Sequence, residues 1–66
     1  MSWDVRKEYG ANKTTVAGHA SEADAKAEAL ALCTSRDAEY VVYDAKSREV
    51  GRAVFHDGQA VWRPTP

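Results

Sequence analysis

Apolar and polar residues alternate from Trp3 to Tyr9, with Trp3, Val5, Lys7 and Tyr9 on one side and Asp4, Arg6 and Glu8 on the other. Period two is the mark of a half-buried strand. Gly10-Ala11-Asn12-Lys13 supplies turn chemistry, and the β-branched run from Thr14 toward Gly18 predicts a second strand in an antiparallel hairpin with the first. The period then changes. Ser21 is a good N-cap, Asp24 stands three residues on, and Glu22 and Asp24 suit the positive end of a helix dipole. An Ala-rich helix follows to about Ser35, with Arg36 expected to complement its negative end. Tyr40-Val41-Val42-Tyr43 is the most apolar strand and hence the most central. Two more strands flank Asp57-Gly58, the strongest short hairpin signal.

The expectation is a single α+β domain over residues 1–66, in the order β-β-α-β-β-β. Strands are predicted near 2–9, 13–19, 39–44, 48–55 and 59–63 and a helix near 21–35. One helix packs on one face of an antiparallel sheet of four or five strands.

The helix carries two apolar stripes. Ala25, Ala29 and Leu32, with Cys33 beside them, suit the sheet. Ala23, Ala27, Leu30 and Ala31 are left on the outside as a candidate interface. Composition strengthens this reading. Among 66 residues there are seven Val, two Leu and no Ile, while twelve Ala account for much of the 44% hydrophobic content. Small domains with so thin a core commonly lean on oligomerisation when no metal or disulfide staples them. A homodimer is therefore expected.

Charge separates the candidate partners. Lys+Arg number 9 against Asp+Glu 10, which excludes a strongly basic nucleic-acid arm. The helix region, Ser21–Glu39, sets Lys26 and Arg36 against Glu22, Asp24, Glu28, Asp37 and Glu39, whereas the flanking strand regions are each slightly positive. If Asp57-Gly58 is a two-residue loop, Phe55 faces Ala60, Ala53 faces Trp62, and Arg52 faces Arg63. Like charges placed opposite one another hint at an anion between them. Arg6 joins that pair if its strand lies close by. A three-residue loop, His56 to Gly58, would instead put Arg52 across from Trp62. The alternative function is thus single-stranded nucleic-acid binding through Arg6, Arg52 and Arg63, because basic and aromatic sheet faces bind single strands.

Catalysis finds little footing. His19, His56 and the single Cys33 show no metal-ligand spacing, the four glycines form no phosphate loop, and Cys33 sits among Ala and Leu, which favours an inert thiol. No cofactor or metal is expected. No apolar run nears the roughly 18–20 residues of a membrane span, and nothing opens the chain like a signal peptide, so the expected setting is cytoplasmic.

Trp3-Asp4-Val5-Arg6, the helix start Ser21-Glu22-Ala23-Asp24-Ala25 and the strand Tyr40-Val41-Val42-Tyr43-Asp44 together resemble the small bacterial family named domain of unknown function 2188. That family's pattern is a W-x-V strand, a T/S-x-x-E-A helix start and a hydrophobic strand running into an Asp/Gly turn. Asp24 stands here where the family often has Glu. The resemblance covers about residues 2–50, and Gly51–Arg63 looks like an addition. It implies a compact ββαββ-like unit with no assigned activity. A looser likeness is to the arm-binding ββα modules of phage integrases, which are markedly more basic. The resulting expectation is a non-enzymatic domain that works by protein–protein contact, most simply self-association.

Overall fold

The computed structural model describes residues 2–66. In chain order they form β1 (Trp3–Tyr9), β2 (Asn12–His19), α1 (Glu22–Leu32), β3 (Glu39–Tyr43), β4 (Glu49–His56) and β5 (Gln59–Pro64). The five strands make one antiparallel sheet in the spatial order β2-β1-β3-β4-β5. The α+β fold with β-β-α-β-β-β order follows the expectation. β2 and β3 both run antiparallel to β1 and lie on either side of it. They are therefore parallel to each other, and parallel strands cannot be joined by a tight turn. The helix supplies the crossover, passing over β1.

Turn chemistry fixes both hairpins. Gly10 (φ 59) and Ala11 link β1 to β2, with glycine at the first central position, where a type II′ turn takes it. Asp57 (φ 50) and Gly58 (φ 80) are both left-handed, as a type I′ turn requires. The loop between β4 and β5 therefore has two residues. Phe55 pairs with Ala60, Ala53 with Trp62, and Arg52 with Arg63.

Ser21 caps the helix, its Oγ accepting from the Asp24 N–H at 3.2 Å. The helix ends at Leu32, three residues before the expected Ser35. Cys33 is already extended, so Arg36 lies outside the helix and no basic residue occupies its last turn.

Val5, Val42 and Ala53 from the sheet meet Ala25, Ala29 and Cys33 from the helix in the core. The helical three are spaced i, i+4, i+8, a single stripe. The centre is thus built from small side chains, and the larger ones, Trp3, Leu30, Tyr40, Phe55 and Trp62, pack around its rim half-buried. Gly51 belongs to this arrangement. A Cβ there would fall inside the Trp62 indole, 2.8 Å from Cε2. Lys26 covers the other side of that ring, with Nζ 5.4 Å from its centroid.

Candidate interaction surface

The two leucines exchange the places the sequence suggests. Leu30, expected on the outer stripe, packs against the core rim, whereas Leu32, expected against the sheet, is 37% exposed. At about 100° per residue, Leu32 stands roughly 60° from Ala29 around the helix, close to the sheet-facing azimuth. Leu30 stands about 100° away on the other side. Leu32 is exposed because it is the last residue of the helix, where the neighbouring layer is open. Leu30 sits a half-turn earlier, where the rim closes over it. Ala23, Ala27 and Ala31 are exposed as expected, but without Leu30 that outer stripe presents methyl groups alone.

The face of the sheet opposite the helix carries the arginine row. Arg6 pairs with Val41, Val41 with Arg52, and Arg52 with Arg63, so all three predicted arginines lie on one line across four strands. Val41 is fully buried although no helix covers that side. The arginine stems on its two flanks account for this, since long side chains lay their methylenes on apolar surface. Arg52 does not share an external anion with Arg63. Its Nη1 donates to Glu39 at 2.7 Å and to Glu8 at 3.3 Å, and its Nη2 and Nε donate to Glu49 at 2.8 and 3.2 Å. Three strands therefore supply the counter-charge that the opposed arginines demand. The hydrogen bond from Arg52 is the main reason the Glu49 carboxyl lies below its usual range, with Thr65 Oγ1 donating to it as well. The Arg52 guanidinium is held charged, first by Glu49.

Arg6 lies over Tyr43, its Cζ 4.1 Å from the ring centroid, with no carboxylate in ion-pair range among the described residues. Arg63 is exposed at the edge of the sheet. Lys13 approaches Glu8 at 3.9 Å. Asp4, Glu8, Glu39 and Glu49 thus share this face with Arg6, Lys13, Arg52 and Arg63, and the two signs balance.

Candidate chemical groups are spread apart. His19 Nε2 contacts Glu28 at 3.2 Å, tying the end of β2 to the helix. His56 sits beside Asp57 at the β4–β5 turn on the surface. The buried Cys33 thiol is raised above its ordinary pKa, first by burial and then by Glu39, which suppresses the thiolate. No group of three or more His, Cys, Asp or Glu side chains is arranged to hold a metal ion among the described residues. No helix there is long and apolar enough to cross a membrane.

One further feature arises from element lengths. Eleven helical residues span about 16 Å at 1.5 Å each. The seven residues of β1 extend about 23 Å at about 3.3 Å each. The helix is too short to cover the whole sheet. At the pole where β1 turns into β2, a cleft of about 210 Å³ opens between the helix end and the strands, lined by Lys7, Tyr9, Leu32, Asp37, Ala38 and Tyr40 among others. Tyr9, Val16 and Leu32 are the exposed large apolar side chains, at 55%, 44% and 37%, and two of them meet in this cleft. Sequence reading missed it. Lys7 and Tyr9 were legible as the sheet-facing side of β1, but their lack of cover depends on where the helix stops. The chain matches no family model, no curated protein and no solved structure.

Proposed function

We propose that this chain is a small non-enzymatic module that acts through protein–protein contact, most simply by pairing with a second copy of itself. The observation that carries the reading is the convergence of Tyr9 and Leu32 at one pole. Single exposed apolar residues are ordinary on protein surfaces, whereas neighbouring ones beside a cleft favour contact with another macromolecule. A core whose centre is Val and Ala adds to the argument. Its fully buried side chains are small, so stability gained across an interface weighs heavily. The suppressed Cys33 thiolate and the engagement of His19 by Glu28 favour a structural role for both.

Sedimentation equilibrium tests this. The expected particle has twice the 7.2 kDa monomer mass and dissociates on dilution. A 7.2 kDa particle at every concentration up to about millimolar ends the self-pairing reading.

The alignment of Arg6, Arg52 and Arg63 in one row keeps a second reading, single-stranded nucleic-acid binding, open to test. Its weakness is electrostatic. Such affinity comes chiefly from phosphate neutralisation, and here Arg52 is engaged by three carboxylates. A gel shift with single-stranded probes at low salt that disappears in Arg6→Ala and Arg63→Ala would favour the second reading over the first.

A further inference from the structure

We infer that the pole formed by the end of β1 and the end of α1 docks, about a two-fold axis, on the same pole of a second copy, Lys7 of each facing Asp37 of the other and the Tyr9 and Leu32 side chains meeting between them. The inference rests on the self-pairing reading and names its surface.

Three observations bear on it. The first is the position of Leu32. It lies near the azimuth of the buried stripe Ala25, Ala29 and Cys33, yet it is 37% exposed because its own chain provides no layer opposite it. Tyr9 is in the matching situation on the sheet. It shares the helix-facing side of β1 with Val5, which is fully buried, yet it is 55% exposed beyond the end of the helix. Both are core-directed positions without a covering layer.

The second observation is charge. Lys7 and Asp37 line the same cleft. Neither takes part in an ion pair among the described residues. Lys7 Nζ rests 5.6 Å from the Tyr9 ring centroid instead. In a two-fold contact, whatever one residue does to its partner is done in return, so the patch must be complementary to itself. An unpaired cation and an unpaired anion beside an apolar pair meet that condition. Two ion pairs form per dimer and no like charges need be opposed.

The third observation is that the other surfaces are less suited. The outer helix stripe presents only Ala23, Ala27 and Ala31. The arginine face satisfies its charges internally. The β5 edge ends in Pro64, which has no N–H to offer another strand. The β2 edge carries a bulge where its pairing with β1 shifts between Val5 and Arg6, and a bulge interrupts the regular pairing that edge association needs.

Charge reversal tests the pairing. The dimer dissociation constant is measured by sedimentation equilibrium at low salt for Lys7→Glu, for Asp37→Lys, for the two substitutions combined in one chain, and for an equimolar mixture of the two single variants. Each single variant is expected to dissociate at least tenfold more readily than the unsubstituted protein. The combined variant and the mixture are both expected to recover to within about threefold, because either arrangement restores two opposite-charge pairs per dimer. The differences should shrink in 0.5 M NaCl, where screening is short-ranged. Leu32→Asp is expected to give a monomer with an unchanged circular dichroism spectrum. Single variants that pair as tightly as the unsubstituted protein, or a mixture that stays as weak as its components with native spectra, overturn the assigned surface while leaving self-pairing intact. A monomeric unsubstituted protein overturns both.

Discussion

Gly51→Ala is expected to destabilise the fold through one side chain, Trp62. The added Cβ would stand 2.8 Å from the indole Cε2 and 3.0 Å from Cη2, well inside van der Waals contact. The indole has little room to retreat, since Lys26 lies over it and Ala53 is its cross-strand partner. Overpacking of this kind costs about 1–3 kcal/mol. At roughly 0.05–0.15 kcal/mol per residue, the whole domain has about 3–10 kcal/mol of stability to lose. In urea, with an m-value of about 1 kcal/mol/M for a small protein, the midpoint should fall by about 1–3 M. The control is the same change in a Trp62→Leu background, where an apolar side chain remains but the ring is gone. There Ala should equal or exceed Gly, by up to about 1 kcal/mol, because a strand glycine loses more backbone entropy on folding. Unfolding is followed by circular dichroism and by fluorescence of the remaining Trp3. An equal cost for Gly51→Ala in both backgrounds would refute the reasoning, since the indole would then not be what excludes a side chain.

Arg52→Ala should cost about 1–2 kcal/mol, in the range of half-buried charge-assisted hydrogen bonds, because Glu8, Glu39 and Glu49 are left facing one another. The difference from the unsubstituted protein should fade below about pH 4, where those glutamates protonate, and a urea midpoint difference that persists unchanged at pH 3 contradicts this account. Asp44 lies below the usual carboxylate pKa, chiefly because the Arg48 backbone N–H donates to it at 2.9 Å, and Glu49 is lowered by Arg52. Both folded values are depressed, so their stabilisation is complete above the unfolded pKa of about 4 and is lost as pH falls through the folded values. The urea midpoint should therefore drop between about pH 4 and 2, and less steeply in Asp44→Ala. Cys33 should resist a thiol reagent at pH 8 in the folded protein and react promptly in 6 M guanidinium; equal rates in both would show an accessible thiolate. Leu30→Asp, which places a charge at the core rim, should unfold the domain where Ala27→Asp is tolerated, as thermal melts of the two would show.

Local chemistry made most of the fold legible. The period of two from Trp3 to Tyr9, the Ser21 cap and the Asp57-Gly58 turn each act over a few residues, and each element formed where its signal stands. The two-residue turn then carried the register of β4 against β5, including Arg52 opposite Arg63. Local pattern fails where alanine surrounds the helix. Ala at 23, 25, 27, 29 and 31 leaves no polar boundary to fix the buried azimuth, and neither Gly nor Pro marks a stop near Leu32. The exchange of Leu30 and Leu32 and the early helix end both follow from that ambiguity. The counter-charges of Arg52 were hidden for a different reason. Glu8 lies 44 residues away in the chain and Glu39 lies 13 away, and they converge only because β1 and β3 are neighbours in the sheet. The pole cleft is likewise a consequence of element lengths, which depend on the helix end that the alanines obscure.

The most direct test of the central claim, that the pole bearing Tyr9 and Leu32 is the contact surface, is a dilution series followed by amide chemical shifts of the uniformly ¹⁵N-labelled protein. From about millimolar to about ten micromolar, shifts should move for residues 7–12 and 31–39 and stay fixed for the exposed helix positions Ala23 and Ala27 and for Arg6, Arg52 and Arg63. Shifts confined to the outer helix stripe or to the arginine row, or a spectrum that does not change with concentration, would contradict it.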